Sequence, residues 1–568
     1  MSSSDTFHGN LVIPYDISAA AGASAYTFYD VNIIRQAYNV FPIPPMSGAK
    51  QVVIGIVIAY SYSNLQSDFT TFCGRYLAAY PSSTLEIIQQ SNSVPSANGT
   101  GWDIEICIDT QLSYSMNPYA HIRVYEANSN SNADLYTGVQ YLSNDANFID
   151  NSYGTTDLIT LSWGSNEGAG ETAYASFFSN QHIVYSASTG DANYASFPAL
   201  CPNVLGVGAT DLYYGSGSRY ELPWNLSGCG VSRYIAKPTY QDISNLTAYA
   251  NRTIPDLVCI GGASTPVLFY ITQYGFVGES GTSLSSPLVA GMLSNLVQQQ
   301  TNMSPSAPHF TTVFPATGNS IQLQTLLYNL YDNSATSPFY IQSFYDISSG
   351  TDAGNGTIRG STHTGGYTNY TVAPGFDIAS GLGSLNVGTM GSNNFLYHAI
   401  NAANVSCFNR DTEILCGDGL YRPIQDLVVG QGIQTFRHGV KPIAAIRSGV
   451  YKNNPLWNEA MYVMKREREP RLTQDLYVTG GHSLLVEELT EDQRLEYRLR
   501  NVWDTGEPIQ IDGLYLLLAA MDPRFEKIQD DHVYYTYHLA LQGETPDQRF
   551  AIWANGLLTE TLSKDMTE

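Results

Sequence analysis

Mostly apolar runs recur through the first 400 positions, and stretches with helical spacing separate them. A run of four to eight apolar residues is typical of a strand that is buried on both faces. The runs that predict such strands are Val52–Ile58, Ile122–Tyr125, Leu158–Trp163, Ile183–Ala187, Val204–Val207 and Val267–Ile271. Helical stretches include Glu105–Ser115 and Ser283–Gln299. Because strands alternate with helices, we expect an α/β fold with a mostly parallel sheet that is flanked by helices.

The pattern changes after about position 400. Short segments in which apolar and polar residues alternate follow one another there, for example Gly432–Phe436, Asp475–Val478 and Phe550–Trp553. Alternation with a period of two is typical of strands with one buried face, and little of this region has helical spacing. We therefore expect a second, smaller and mostly β domain.

Charge divides the chain at the same place. Residues 1–404 contain nine of the 26 Lys and Arg residues, and residues 405–568 contain the remaining 17. The first part is thus poor in charge and the second has an ordinary mixture. We predict an N-terminal extension over residues 1–27, a first domain over 28–400, a linker over 401–406 and a second domain over 407–568.

Composition excludes several classes of protein. With 43% hydrophobic residues among 568, the chain has ample material for a large core. A net charge of −24 disfavours binding to nucleic acid, which requires a cationic surface. No stretch of about 18 apolar residues predicts a membrane-spanning helix. The seven cysteines are too few and too irregularly spaced for a disulfide scaffold.

The location of the protein is left open by the sequence. The first residues lack both a basic lead and a compact apolar block, so we predict no secretory signal. A domain with few charged pairs loses little stability when the pH falls, which suits an acidic compartment or an extracellular milieu. A compositional bias of the lineage is the alternative explanation of the low charge.

The most specific local signal is the segment Ser280-Gly281-Thr282-Ser283, which precedes the apolar stretch Leu288–Leu296. A Gly-Thr-Ser turn that enters a helix exposes the Ser283 hydroxyl at the helix N-terminus, where backbone N–H groups favour developing negative charge. We expect Pro287 in the first turn, where its missing N–H is tolerated. The alternative is an ordinary serine cap in front of a buried helix.

A serine nucleophile needs a base, and none of the histidines in the first part lies in a recognisable motif. Glu105 and Asp109 are four residues apart, so their carboxyl groups lie on one helix face. Two adjacent carboxylates share a proton and titrate as a pair, and such a pair can accept a proton at acidic pH. The alternative is an exposed acidic face of a helix.

A third acidic residue, Asp191, follows the predicted strand Ile183–Ala187. A residue at the carboxyl end of a strand in an open α/β sheet can face the active site. If it stays protonated there, its carboxyl group can donate a hydrogen bond to an oxyanion. The alternative is a Gly-Asp pair that only forms a turn.

These motifs, in this order, resemble the sedolisins, the serine-carboxyl peptidases with a subtilisin-like fold. The resemblance covers about residues 28–400 and implies that Ser283 is the nucleophile and Glu105 the general base. It further implies that Asp109 orients Glu105 and that Asp191 supplies the acid of the oxyanion hole. The segment Ser162-Trp163-Gly164 resembles the family's Ser-Trp-Gly segment beside the substrate cleft. Its alternative is a strand end that runs into a glycine turn.

The same resemblance implies one calcium ion in the first domain. The family binds calcium with an Asp-Ile pair and a Gly-x-Gly-x-Asp run, and the corresponding residues here are Asp346, Ile347, Ala373, Gly375 and Asp377. Two carboxylates with backbone carbonyls suit this hard cation, which takes six or more oxygen ligands. Ala373 replaces a family glycine, but a carbonyl ligand does not depend on the side chain. A pair of Asx turns is the alternative.

One feature departs from the family. Sedolisins are usually made with a long N-terminal propeptide that keeps the enzyme inactive. The peptidase pattern begins here near Tyr29, and only about 28 residues precede it. We therefore expect activity to be controlled by something other than an inhibitory prodomain.

The second domain resembles the hedgehog–intein (Hint) fold. Cys407 begins it, and Thr479 and His482 form a Thr-x-x-His element. A cysteine at this position attacks the preceding carbonyl and converts the peptide bond to Ser406 into a thioester. The resemblance assigns polarisation of that carbonyl and protonation of the leaving amine to Thr479 and His482. The terminal His-Asn pair required for splicing is absent, so we expect cleavage without splicing.

The sequence thus predicts an endopeptidase that acts on polypeptides at acidic pH, fused to a self-cleaving Hint domain. A non-catalytic peptidase-like scaffold, with only the Hint domain active, is the alternative from another class. A conventional Ser-His-Asp subtilase is a third possibility, but it would require a histidine in a strand-end or helix-start context after Val52–Tyr60. The oligomeric state is not predicted.

Overall fold

The computed structural model of the chain describes most of its residues. It describes residues 13–14, 27–46, 48–149, 151–180, 182–215, 218–303, 322–331, 334–349, 357–389, 394–396, 399, 408–453, 460–494, 510–530, 532–543 and 549–561. The chain divides into two compact units, one made of Met1–Phe310 and Thr317–His398, the other of Thr311–Ala316 and Ala399–Glu568.

The first unit contains both strands and helices. Its strands are β1 (Ile13–Pro14), β2 (Val53–Ala59), β3 (Glu86–Gln89), β4 (His121–Ala127), β5 (Leu158–Leu161), β6 (Ser165–Asn166), β7 (Val184–Ser188), β8 (Ser196–Phe197), β9 (Val204–Gly215), β10 (Ser218–Pro223), β11 (Gly230–Ala236), β12 (Asn251–Ile254), β13 (Leu257–Ile260), β14 (Val267–Ile271), β15 (Gly275–Glu279), β16 (Phe344–Tyr345), β17 (Thr357–Ser361), β18 (Tyr367–Thr371) and β19 (Ser384–Leu385). Its helices are α1 (Val31–Ala37), α2 (Leu65–Tyr76), α3 (Trp102–Met116), α4 (Asn132–Leu142), α5 (Thr282–Met303), α6 (Gln322–Tyr331) and α7 (Pro338–Ser343). Short 3₁₀ helices cover Asp145–Phe148, Glu171–Phe178, Thr239–Gln241 and Ser244–Leu246.

The central sheet of this unit is mostly parallel, as the alternation of strands and helices predicts. Among the described residues its strand order is β10-β9-β7-β5-β2-β4-β3, and β13 pairs with β9. Every pair in it is parallel except the antiparallel pair of β9 and β10. All seven residues of β2 are buried, which explains its continuous apolar run. The first unit therefore has the α/β architecture with a mostly parallel sheet that the sequence pattern predicts.

One predicted strand is formed in a different sheet. Val267–Ile271 is a strand, but it pairs antiparallel with Gly275–Glu279 in a hairpin outside the central sheet. An apolar run predicts burial on both faces and says nothing about the partner strand, so the sequence pattern could not distinguish the two sheets. The hairpin ends at Glu279, four residues before Ser283, and so leads the chain into α5.

The helices α3 and α5 pack against each other and approach unusually closely. At Gly291 of α5, a Cβ atom would lie 2.2 Å from the carbonyl oxygen of Ser113 in α3. Only glycine fits at this contact, because any side chain would overlap with the backbone of the neighbouring helix. The contact therefore fixes α3, which carries Glu105 and Asp109, against the helix that begins beside Ser283.

The second unit is built almost entirely from antiparallel strands. They are β20 (Phe408–Asn409), β21 (Glu413–Leu415), β22 (Tyr421–Pro423), β23 (Gly432–Gln434), β24 (Val440–Lys452), β25 (Met461–Met464), β26 (Leu476–Thr479), β27 (Ser483–Val486), β28 (Gln510–Ile511), β29 (Leu514–Leu518), β30 (Phe525–Lys527), β31 (Val533–Leu541), β32 (Ala551–Ala554) and β33 (Leu557–Glu560), with 3₁₀ helices at Ile424–Asp426 and Ala519–Met521. The described strands form two sheets, ordered β23-β24-β31-β20-β26-β25-β30 and β22-β21-β32-β33-β27-β29-β28. The prediction of a later, mostly β region is confirmed.

Within the part of the chain that the structure describes, no helix is both long enough and apolar enough to cross a lipid bilayer.

Candidate active site

The turn before α5 presents Ser283. Gly281 has φ = 148°, and its N–H donates to the carbonyl oxygen of Gly261 at 2.7 Å. This dihedral lies in the region that favours glycine, so Gly281 lets the chain turn directly into the helix. The helix begins at Thr282, which places Ser283 in its first turn. The Ser283 side chain is buried.

Pro287 lies deeper in the helix than expected, because α5 begins at Thr282 and Pro287 is its sixth residue. A proline at this position has no N–H to donate to the carbonyl oxygen of Ser283, four residues earlier. The hydroxyl of Ser162 lies 3.2 Å from that carbonyl oxygen and donates to it. The nucleophile's own carbonyl is thus contacted by the residue that follows β5.

Glu105 and Asp109 both lie on α3, one helical turn apart, and both are buried. They do not form an exposed acidic face. Burial raises the pKa of Asp109 well above its usual range, and the neighbouring Glu105 carboxyl raises it further. The hydrogen bond from Ser162 opposes this increase because it stabilises the ionised form of Asp109.

Ser162 connects the acid pair with the nucleophile. Its hydroxyl donates to Oδ1 of Asp109 at 2.6 Å. Its carbonyl oxygen lies 3.5 Å from the hydroxyl oxygen of Ser283, which is directed toward it as a donor. Asp109, Ser162 and Ser283 therefore form a continuous series of contacts from α3 through the end of β5 to α5.

Asp191 contacts the first residue of α5. Its Oδ1 accepts hydrogen bonds from the backbone N–H and from the hydroxyl of Thr282, both at 2.8 Å. The Thr282 hydroxyl in turn accepts the N–H of Gly190 at 3.1 Å. Because Oδ1 accepts two donors, the proton of a neutral Asp191 carboxyl belongs on Oδ2.

The segment predicted beside a substrate cleft is buried. Ser162, Trp163 and Gly164 all lie below the surface. The indole N–H of Trp163 donates to the carbonyl oxygen of Val57 at 2.9 Å, and its ring meets Tyr136 edge to face. The Trp163 side chain therefore joins the loop after β5 to the neighbouring strand β2.

The described histidines of the first unit lie away from these contacts. His121 begins β4 and His182 precedes β7, so both lie at the amino ends of parallel strands, whereas Ser162 and Asp191 follow carboxyl ends. Nε2 of His121 is 3.0 Å from Oε2 of Glu86, and its ring stacks on Tyr153. His363 is in an exposed turn between β17 and β18.

The residues predicted to bind calcium form one group of loops. Oδ2 of Asp346 accepts the N–H of Gly375, and Oδ2 of Asp377 accepts the N–H of Ala373, both at 3.0 Å. Ile347 directly follows Asp346 and is buried. Burial raises the pKa of Asp346 and raises that of Asp377 to about 7. No group of three or more His, Cys, Asp or Glu side chains suited to a metal is found among the described residues.

In the second unit, Cys407 lies outside the described residues, but the residue after it is described. Phe408 pairs with Val478 on one side and with Tyr537 on the other. Its ring lies 4.2 Å from that of His482. Thr479 and His482 are both buried, and the N–H of His482 donates to the carbonyl oxygen of Thr479 at 2.9 Å. Burial, together with the nearby His538, lowers the pKa of His482 to about 3.

Sequence reasoning did not find two contacts of the candidate site. The bond from Thr282 to Asp191 joins residues 91 positions apart, and that from Ser162 to Asp109 joins residues 53 positions apart. Spacing along the chain carries no signal for such pairs. The period of two along β5 is the available clue, because it directs Thr160 and Ser162 to the same face of the sheet.

The chain is similar to known peptidases over part of its length. Residues 86–339 match the subtilase family. Sedolisin of Pseudomonas sp. (strain 101) is 29% identical over 205 residues, which is 34% of this chain and 29% of that protein. Xanthomonalisin of Xanthomonas sp. (strain T-22) is 28% identical over 222 residues, 34% of this chain and 22% of that protein. A tripeptidyl-peptidase, sed4, of Aspergillus fumigatus is 25% identical over 213 residues, 33% of this chain and 31% of that protein.

These matches span less than a third of the length of each curated relative. Among solved structures, Pseudomonas sedolisin in complex with pseudo-iodotyrostatin has a TM-score of 0.49 at 23% identity and covers 64% of this chain and 97% of its own. Sphericase has a TM-score of 0.37 at 16% identity and covers 62% and 96%. Residues 86–339 are thus similar to the subtilase family of peptidases, and sedolisins are among the curated proteins that the chain resembles.

Proposed function

We propose that this chain is a serine-type endopeptidase of the sedolisin class that hydrolyses polypeptides at acidic pH. The observation that carries the proposal is the convergence of carboxyl groups on the start of α5. Ser162 contacts both Asp109 and Ser283, and Asp191 accepts a hydrogen bond from Thr282, the residue before Ser283. The hydrolase class rests on the subtilase-family match, and the use of carboxyl groups in place of histidine is our inference.

The first step is attack by the Ser283 hydroxyl on the carbonyl carbon of the substrate's peptide bond. Its proton passes to Glu105 while the carbonyl π electrons move to oxygen and form a tetrahedral oxyanion. The raised pKa of Asp109 favours its protonated form beside Glu105, and we assign the role of base to Glu105. The pair thus remains a base in acid, where imidazole would already be protonated.

The second role belongs to Asp191. With Oδ1 occupied by the two donors of Thr282, a protonated carboxyl donates from Oδ2 to the oxyanion. Collapse of the intermediate expels the amine, which takes the proton from Glu105, and leaves an acyl-enzyme on Ser283. Water then attacks the carbonyl carbon of the acyl-enzyme, and Glu105 again acts as the base and takes its proton. Collapse of the second tetrahedral intermediate breaks the bond to Ser283, returns the proton to the serine oxygen and releases the carboxylic acid product.

This function is tested by incubating the full chain with a peptide library between pH 3 and pH 7 and identifying new termini by mass spectrometry. Cleavage of internal bonds at pH 3–5, a range set by carboxyl pKa values of about 4, is the expected result. Intact peptides at every pH, from a chain that is folded by circular dichroism, would favour the non-catalytic scaffold instead.

We also propose that the loops of Asp346 and Asp377 bind one calcium ion. Both carboxylates interact with the strip from Ala373 to Gly375, so two anionic oxygen ligands and several carbonyl groups lie in the same loops. This all-oxygen set fits the preferences of calcium. When bound, the ion would neutralise the two carboxylates and hold the loops together; it has no part in the peptidase steps. Asp346, Ile347, Ala373, Gly375 and Asp377 are the proposed ligands.

Removal of calcium is expected to destabilise the first unit. A ligand that binds only the folded state at about 100 times its Kd contributes roughly 2.7 kcal/mol. We therefore expect a calcium chelator to lower Tm by about 5 °C in the wild type and by less than 1 °C in Asp346→Asn. Asp242→Asn is the matched control, because this exposed carboxylate pairs with Lys237 instead. Equal effects of the chelator on wild type and Asp346→Asn would contradict the site.

The second unit supports a further function, autoprocessing by a Hint domain. Phe408 lies between the strand that ends at Thr479 and the strand that carries His538, and it contacts His482. The lowered pKa keeps His482 neutral at neutral pH, so its ring has one N–H that can donate a hydrogen bond and one nitrogen that can accept one. The Cys407 thiol would attack the Ser406 carbonyl, break the C–N bond and release the Cys407 amine, and water would then hydrolyse the thioester to a carboxylate and a free thiol.

Autoprocessing is expected to divide the chain between Ser406 and Cys407. Incubation of the purified full chain with dithiothreitol should give two fragments by intact mass, and Cys407→Ala should remain whole. Cys416→Ala is the matched control, since this buried cysteine of the same unit contacts Ile414 and Gln431. If wild type and Cys407→Ala both stay intact, or both divide, the proposal is wrong.

A further inference from the structure

Ser162 lies between the acid pair and the nucleophile of the candidate active site, so its role can extend beyond lining a substrate cleft. It is fully buried, and its hydroxyl is 2.6 Å from Oδ1 of Asp109 and 3.2 Å from the carbonyl oxygen of Ser283. A serine hydroxyl has one hydrogen, so the nearer acceptor, Oδ1 of Asp109, takes most of it. Ser162 therefore contacts the acid pair and the nucleophile at once.

Pro287 explains why the carbonyl oxygen of Ser283 can accept a hydrogen bond from the Ser162 hydroxyl. In a regular helix the N–H of residue 287 would donate to the carbonyl of Ser283, but proline has no N–H. Without another donor, a buried carbonyl loses the free energy of a hydrogen bond, about 1–3 kcal/mol. The Ser162 hydroxyl, 3.2 Å away, is a side-chain donor that reaches this carbonyl.

We propose that Ser162 is a positioning residue that fixes Asp109 and the Ser283 backbone relative to each other and sets the proton distribution in the Glu105–Asp109 pair. This inference rests on the proposed peptidase function. It assigns to the first residue of the Ser-Trp-Gly segment a role inside the acid-base machinery. The Ser162 hydroxyl stabilises ionised Asp109. Its contact with the Ser283 carbonyl oxygen holds the first turn of α5 at a fixed position relative to β5.

The groups around Asp109 support this assignment. Glu105 is the charged neighbour that raises its pKa, and Ser162 is the neighbour that lowers it. The other carboxylates near α3, Asp68 of α2 and Asp103 at the helix start, act on Cys107. From α5, the facing residue is Ser283, which is contacted through Ser162.

Replacement of Ser162 with alanine is expected to move the acidic limb of the pH profile. Without the donor, the ionised form of Asp109 is less stable, so the pair releases its first proton at higher pH. We expect the acidic limb of kcat/KM to rise by about 0.5–1 pH unit and kcat at the optimum to fall about three- to tenfold, with KM within twofold. Ser162→Thr, which keeps a hydroxyl, should restore the acidic limb.

Two further variants separate this role from loss of a buried hydroxyl. Thr160→Val is the matched control: Thr160 lies two residues earlier on the same face of β5, and its hydroxyl contacts Ser286 of α5 at 3.0 Å. Its pH profile should match that of the wild type. In Pro287→Ala the helix regains its donor to Ser283, so Ser162→Ala in that background should regain kcat but keep the displaced acidic limb.

The outcomes distinguish this inference from the proposed function. If Ser283→Ala hydrolyses peptides as well as the wild type, the peptidase assignment itself is wrong. If Ser283→Ala is inactive while Ser162→Ala keeps the wild-type acidic limb, or Thr160→Val shows the same displacement, the positioning role is wrong. Thermal melts of each variant at pH 4 establish that the compared chains are folded.

Discussion

Replacement of Ser283 with alanine is expected to abolish peptide hydrolysis, with a loss in kcat/KM on the order of 10⁴-fold or more at pH 4. The hydroxyl is the only atom group that the substitution removes, and it is the one that would bond to the substrate carbonyl. Without it, Glu105 has no nucleophile to deprotonate. The Asp191 carboxyl alone can only polarise a bound peptide.

The matched control is Ser286→Ala, one turn further along α5. Ser286 is equally buried, and its hydroxyl contacts those of Thr160 and Ser186 rather than a carboxylate. It should keep wild-type kcat/KM within a few fold and lose only the stability of one buried hydrogen bond, about 1 kcal/mol. Progress curves with an internally quenched peptide measure both variants, and comparable rates for Ser283→Ala and wild type would overturn the assignment.

The second large effect is expected at Glu105. Conversion to glutamine keeps the shape of the side chain and removes its ability to take a proton, so kcat should fall about 10²- to 10⁴-fold with little change in KM. The loss should persist across pH 3–7, because glutamine does not titrate. Burial of an amide at this position leaves Asp109 without its charged neighbour, so the pKa of Asp109 should also fall.

Asp103→Asn provides the comparison on the same helix. Asp103 is buried two residues before Glu105, and its carboxylate accepts the N–H of Gly99 at 2.8 Å and of Ile104 at 3.2 Å. It supports the start of α3 and is not part of the proposed acid-base pair. A rate for Asp103→Asn that matches Glu105→Gln would show that the effect comes from the helix rather than from the base.

Much of the fold follows from local pattern. The runs at Val52–Ile58, Leu158–Trp163 and Ile183–Ala187 predict central strands, because strands buried on both faces must be apolar throughout. The structure forms strands at all three places, in neighbouring positions of one parallel sheet. Spacing likewise predicts α3 and α5, and their bounds extend the predicted helices by a few residues.

Tertiary pairing is what the pattern could not supply. Val267–Ile271 has the same apolar character as the central strands, yet it pairs with the following strand in a hairpin. The difference depends on the tight turn before Gly275, which has φ = 77° and allows the chain to reverse at once. A run of apolar residues predicts a buried strand but does not indicate which neighbouring strand it will pair with.

The same limit applies to the candidate site. The motifs indicate which side chains are chemically suited to the roles, and the positions of Glu105 and Asp109 on one helix face follow from their spacing. The contacts made by Ser162 and Thr282 depend instead on how α5 lies against β5 and the loop after β7. A missing N–H at Pro287 is visible in the sequence, but the group that compensates for it becomes apparent only in three dimensions.

The most direct test of the central claim is the dependence of kcat/KM on pH between 2 and 8, measured with an internally quenched peptide and the full chain. If carboxyl groups serve both as base and as oxyanion donor, the profile is bell-shaped, with its maximum near pH 3–5 and little activity above pH 7. A profile that rises through pH 6–7 to a plateau at pH 8 would indicate a histidine base and would contradict the account.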